Sequence, residues 1–299
     1  MADEQSAPQP PRLAERAVKA AGVKVAVAMS DAPRGQPSRL PLLLLPAAGF
    51  IWQDYRPILD ALSPKRQVFA LDWPGFGASE RPSPESFRYG AESFAGLAGE
   101  VMDALGIARA VVLGNGIGAT AAIHMAVARP VRVAGVCLME PLGFGKPTLS
   151  GEVVGSALGT PGIMRLAMLT LLDLALGPTT TETEAIVRRI RAERKDAGAS
   201  ATVAAMSALW RGLTTMDAEA LVALAHHVSA PALVVRGELD PLVTQAASRR
   251  ATESLGTGAA LEVVLPDAGH LPFIQEPARF LAALDGVLGT AEVNAASMS

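Results

Sequence analysis

The stretch Ala110-Val111-Val112-Leu113-Gly114-Asn115-Gly116-Ile117-Gly118 decides the fold. Its first four residues form a short continuous apolar run, the pattern of a strand buried on both faces. Glycines follow at alternate positions, and an apolar helix-like run then continues to Ala128. Glycine opens backbone conformations closed to other residues and lets another chain segment approach closely. The stretch therefore reads as a strand that turns sharply into a helix. Residue 116, at the centre of that turn, is itself glycine and presents no side chain.

Working outward, the chain alternates between two periods. Val23–Met29, Leu40–Leu45, Gln67–Leu71 and Val133–Met139 read as strands. Between them, Trp52, Tyr55, Ile58, Leu59 and Leu62 recur at helical spacing, as do Phe94, Leu97, Val101, Met102 and Leu105. From about residue 150 to 228 only helical patterns appear: an apolar one near 161–176, a charged one near 182–196 with Thr181 and Glu184 as a capping box, and two more ending near His227. The rhythm then resumes with strand Ala232–Arg236, helix Gln245–Leu255, strand Leu261–Leu265 and helix Pro277–Leu288. Alternating strands and helices predict an α/β fold, a mostly parallel doubly wound sheet covered on both faces. The all-helical insertion before the penultimate strand predicts a cap over the strand C-terminal edge, where ligands bind in such sheets. The expected organisation is a disordered tail over 1–19, a core formed by 20–145 and 229–290, a cap over 146–228, and a second disordered tail over 291–299.

Composition narrows the function classes. Half of the 299 residues are hydrophobic and the formal net charge is −3. No basic patch or zinc-finger spacing appears, so a nucleic-acid partner is not expected. The start of the chain lacks the basic and apolar regions of a secretion signal. The most hydrophobic long segment, Ile163–Leu176, contains Arg165 and Asp173 and is too short to span a bilayer, so no membrane association is expected. The single cysteine, Cys137, lies in an apolar run and reads as core filler in a reducing, cytoplasmic compartment. No phosphate cradle or metal-ligand cluster is visible, so neither cofactor nor metal is expected. The partner expected is a small molecule, and the oligomeric state stays open.

Five features in order carry a resemblance: the loop Pro46–Phe50 after a buried strand, Asp72-x-x-Gly75-x-Gly77-x-Ser79, the turn Gly114–Gly118, Gly237-Glu238-Leu239-Asp240-Pro241, and Asp267-Ala268-Gly269-His270. Over roughly residues 20 to 290 the chain resembles α/β-hydrolase-fold proteins with a helical cap. The turn has the shape of their G-x-S-x-G nucleophile elbow, with Gly116 at the nucleophile position. The resemblance implies His270 as the catalytic histidine and Asp240 as the acid that orients it. Glu140, directly after strand Val133–Met139, occupies the position where some members carry the acid instead. The oxyanion hole would use the backbone N–H groups of Ile117 and Ala48, although the early loop reads Pro46-Ala47 where the family often has His-Gly. Asn115, Trp73, Phe50 and Trp210 are candidate substrate contacts, with Phe76 and the methionines Met164, Met168, Met206 and Met216 beside them.

Three functions fit this pattern. One is an enzyme acting on a small apolar substrate through a His270–Asp240 dyad without a covalent nucleophile, by water activation or proton abstraction. Another is a catalytically inactive binding protein on the same scaffold. The third is an ordinary serine esterase-type hydrolase whose serine at position 116 has been replaced by glycine.

Overall fold

Successive leucines of β3 (Leu42–Leu45) point into two different cores: Leu43 and Leu45 into one, Leu42 and Leu44 into the other. This follows from the two-residue period of a strand covered on both faces. The computed structural model describes residues 13–33, 39–145 and 149–297. Its sheet has eight strands: β1 (Ala14–Ala20), β2 (Val23–Met29), β3, β4 (Val68–Leu71), β5 (Ala110–Asn115), β6 (Val133–Met139), β7 (Ala232–Gly237) and β8 (Leu261–Leu265). Their spatial order is β1-β2-β4-β3-β5-β6-β7-β8. The first two pairings, β1 with β2 and β2 with β4, are antiparallel, and all others are parallel. The doubly wound, mostly parallel sheet expected from the alternating periods is present.

One face is covered by α2 (Ala91–Ala104), α3 (Ile117–Ala128) and α9 (Gln245–Ser254). The other carries α1 (Arg56–Leu62), the single turn α10 (Pro272–Gln275) and α11 (Pro277–Ala296). Between β6 and β7 the described residues form five helices: α4 (Leu149–Leu158), α5 (Pro161–Leu176), α6 (Thr181–Glu193), α7 (Ala199–Thr214) and α8 (Ala218–Ala225). The cap of α6 sits one residue earlier than expected: Thr180 accepts the Thr183 N–H at 3.2 Å, and the Thr183 hydroxyl accepts the Thr180 N–H at 2.7 Å. Cys137 is fully buried between strands and helices, and burial pushes its thiol well up.

Both tails differ from expectation. Residues 14–20 pair with β2 over their whole length, because Val18 and Ala20 reach the core while Glu15, Arg16 and Lys19 stay in solvent. Residues 1–12 of that tail lie outside the described residues. At the other end α11 continues to Ala296, held by the fully buried Ala291, and 298–299 lie outside the described residues.

The motif after β4 is an anchor rather than a surface loop. Buried Asp72 accepts the Trp52 N–H at 2.8 Å and the Ala78 N–H at 3.0 Å. Gly77, at φ +55°, wraps so tightly around this carboxyl that a Cβ would fall on it. Ser79 donates to the Asp72 carbonyl at 2.7 Å and accepts the Ala26 N–H at 2.8 Å, which locks the loop to β2.

Two tests follow from this packing. In Gly118→Ala, the added methyl would press on the Leu45 and Pro46 carbonyls. Chemical denaturation should register a loss of about 2–4 kcal/mol. For Asp72, burial outweighs its two N–H donors and raises the carboxyl from 3.8 to about 6. The folded state then holds this proton more tightly than the unfolded chain. The resulting stability is complete below the unfolded value and is lost as pH rises through about 6. Relative to Asp72→Asn, the unfolding free energy of the wild type should therefore fall by up to about 3 kcal/mol between pH 4 and 7.

Candidate functional site

Gly116 lies at φ +56°, ψ −118°, immediately before the first turn of α3. Its N–H donates to the Met139 carbonyl at 2.9 Å, which ties the turn to the end of β6. Gly114 and Gly118 sit where any Cβ would collide with backbone, so α3 can start directly against the strand ends. A Cβ built on Gly116 would lie 2.9 Å from His270 Nε2 and 3.1 Å from the Ala47 Cβ. The imidazole thus leans over the space a side chain at 116 would occupy.

His270 follows β8, and its position is fixed from several sides. Its N–H donates to the Ala175 carbonyl at the end of α5, 2.8 Å away. Gly269 packs against the backbone of Ala175 and Leu176, and its N–H donates to Gln275 Oε1 at 3.1 Å. The His270 side chain is buried, with Nδ1 2.8 Å from Asp240 Oδ2. Asp240 in turn accepts the Leu242 N–H at 2.7 Å. Burial pushes the Asp240 carboxyl up, but the His270 charge and hydrogen bonds from His270, Glu140 and Leu242 outweigh it and hold the group below its ordinary range. Of the two candidate acids, the structure pairs the imidazole with Asp240. Glu140 lies behind Asp240, where burial and the neighbouring Asp240 charge push its carboxyl well above the ordinary range.

A residue that the sequence reading placed only in a helical stripe, Tyr55, links the parts of the site. Its hydroxyl accepts the Ala47 N–H at 2.9 Å and donates to Asn115 Oδ1 at 3.0 Å. The Asn115 amide donates to the His270 carbonyl at 3.0 Å and to the Met139 carbonyl at 3.3 Å. The Tyr55 ring stacks on Phe273 with centroids 4.5 Å apart. Only an isolated tyrosine in an apolar stripe hinted at this, since a buried hydroxyl needs a partner.

A cavity of about 110 Å³ lies between the strand ends and the inserted helices. Phe50, Phe76 and Leu142 line it from the sheet side, and Met164, Met168, Met206 and Trp210 from α5 and α7. His270 and Ala48 reach it, while Glu193, Arg194 and Thr202 supply its other polar groups. Among the described residues, neither the Ala48 nor the Ile117 N–H donates to a protein acceptor. Three candidate contacts lie elsewhere, and one of them, Met216, packs against Gly143 instead of lining the cavity. Trp73 does not line the cavity: its ring is fully buried against Phe94, 4.2 Å between centroids, and its Nε1–H donates to the Pro46 carbonyl at 2.6 Å. Asn115 does not line it either, because its amide is consumed by the internal bonds described above. Among the described residues, no group of three or more His, Cys, Asp or Glu side chains is placed to hold a metal ion, and no helix is long and apolar enough to cross a membrane.

Comparison with known proteins agrees with this architecture. Residues 42–283 match the family described as alpha/beta hydrolase family. The chain is 29% identical over 304 residues to 2-hydroxymuconate semialdehyde hydrolase of Pseudomonas sp. (strain CF600), covering 98% of this chain and 100% of that protein. Its fold is similar to that of the enol-lactonase from Burkholderia xenovorans LB400, with a TM-score of 0.74, 24% identity, and 92% and 100% of the two chains covered. It is likewise similar to a meta-cleavage product hydrolase from Pseudomonas fluorescens IP01, with a TM-score of 0.73, 23% identity, and 92% and 98% covered. With a family match that runs from β3 into α11 and a strand-turn-helix centred on residue 116, the chain belongs to the alpha/beta hydrolase family.

Proposed function

We propose that this protein is a hydrolase that acts on a small, largely apolar carbonyl compound without forming a covalent intermediate. The observation that carries this reading is His270 Nε2, which faces the space above Gly116 while Nδ1 is held by Asp240. With Nδ1–H donated to the carboxylate, Nε2 is the free basic nitrogen. A water above Gly116 gives its proton to Nε2 as it attacks the substrate carbonyl. The Ala48 and Ile117 N–H groups are available for the developing oxyanion. The imidazolium, stabilised by Asp240, then returns the proton to the leaving group. The same base can remove a proton from carbon where the substrate offers an acidic one.

The cavity supports the substrate class. Its walls are mostly methionine, leucine and aromatic side chains, with Glu193, Arg194 and Thr202 as polar lining and one imidazole, His270. At about 10–15 Å³ per water position, it holds several waters or one compact organic molecule. The name of the Pseudomonas relative, a hydrolase of 2-hydroxymuconate semialdehyde, is in keeping with a small carbonyl substrate.

Crowding around residue 116 favours this reading over that of a serine esterase with one residue replaced. A side chain there requires His270 or Ala47 to move.

Screening against small lactones, esters and vinylogous diketones should identify a substrate. His270→Ala is then expected to lower kcat/KM by about 10²–10⁴-fold. Unchanged turnover in His270→Ala would reject the mechanism. Gly116→Ser is expected to leave hydrolysis of short p-nitrophenyl esters near background. Strong ester turnover in that variant would instead support the replaced-serine reading.

A further inference from the structure

Two carboxyl groups stand behind His270, and only one of them touches it. Glu140 directly follows β6 at φ +49°, a backbone conformation that non-glycine side chains rarely adopt. That turn sends its side chain inward, where it is fully buried. Oε1 accepts the Gly237 N–H, and Gly237 also caps the loop that carries Asp240, through an Asp240 N–H bond of 3.1 Å to its carbonyl. Oε2 has no donor within reach. The Asp240 carboxyl is its close charged neighbour, near enough to act on the Glu140 carboxyl electrostatically. Arg236 is the nearby cation, but its guanidinium is spent on the Val243 and Glu238 carbonyls.

An ionised carboxylate accepts hydrogen bonds and donates none. Two adjacent buried carboxylates would leave Oε2 unpaired and place like charges side by side. The geometry points to Glu140 as a proton-bearing positioning residue: its Oε2–H is donated to Asp240, so that the pair carries one negative charge and Glu140 limits how strongly Asp240 draws the proton onto His270. The elevated position of the Glu140 carboxyl and the depressed one of Asp240 agree in direction. This deepens the role of the dyad and rests on that reading for its catalytic consequence, but not for its test.

The test follows the imidazole directly. In [15N]His-labelled protein, with the His270 signals assigned by their loss in His270→Ala, the titration midpoint of His270 is measured in wild type, Glu140→Gln and Glu140→Leu. Gln is neutral, can accept from Gly237 and can donate to Asp240, so the midpoint should move by no more than a few tenths of a unit. Leu removes the donor, Asp240 regains acceptor strength, and the midpoint should rise. A fall of about one unit or more in Glu140→Gln would mean that a negative charge had been removed, and would overturn the proposal. Equal midpoints in the two variants would overturn the positioning role. Should a variant fail to fold, the wild type alone decides through its [13C]Glu carboxyl signals. Glu140 is the one fully buried glutamate among the described residues, and a single glutamate carboxyl should keep the protonated shift at neutral pH. If every glutamate reads as carboxylate, Glu140 is not the proton holder. None of these readouts uses turnover, so they stand or fall separately from the hydrolytic reading.

Discussion

One buried amide, that of Asn115, holds together segments that lie far apart in the chain. Its oxygen takes the Tyr55 proton and its nitrogen reaches the carbonyls of Met139 and His270, the latter 155 residues away. Through Tyr55 the same bonds reach Ala47 in the early loop. The turn at 116, the end of β6, the histidine loop and the Pro46–Phe50 loop therefore share one hydrogen-bonded centre. All of it is removed from water, where breaking one bond leaves its partner unsatisfied. That centre joins the Ala175 carbonyl and Asp240 in holding His270 above Gly116.

The close packing of the turn is the second half of the same constraint. Gly114 and Gly118 let α3 begin against β5 and β3 with no side chain between them. The Gly116 N–H then ties the apex to β6. Position 116 is in this way held directly beneath the His270 imidazole. In this chain the residue is glycine, and the room above it is bounded by an imidazole and a methyl group.

The inserted helices do more than roof the cavity. The end of α5 receives the His270 N–H, packs against Gly269, and binds Gln275 through the Leu176 carbonyl. Arg189 of α6 reaches Asp54, next to Tyr55, at 2.6 Å. The histidine loop and the early loop are thus each braced by the helical layer, so movement of that layer would be felt at the base. Behind them the dry carboxyl pair keeps its charge low, because burial penalises a second negative charge far more than it penalises a shared proton.

Much of this was legible in the residue order. Strand and helix periods are local properties, and the continuous apolar runs at 42–45, 110–113 and 133–139 declare strands buried on both faces before any contact is known. Glycine spacing at 114–118 declares the turn for the same reason, and Asp240 and His270 stand out because each lies in the loop after a strand. Other features depend on which distant segments meet. Asp240 rather than Glu140 faces the imidazole because β7 and β8 bring residues 240 and 270 within 2.8 Å. Trp73 looked like a mouth residue, but the Pro46 carbonyl and Phe94 draw its ring into the core. Residues 14–19 read as part of a tail because a strand with a mostly solvated exterior carries little apolar signal, and only pairing with β2 gives its backbone partners. Periodicity and backbone freedom are written residue by residue; hydrogen-bond partners and burial are settled only when the chain has closed on itself.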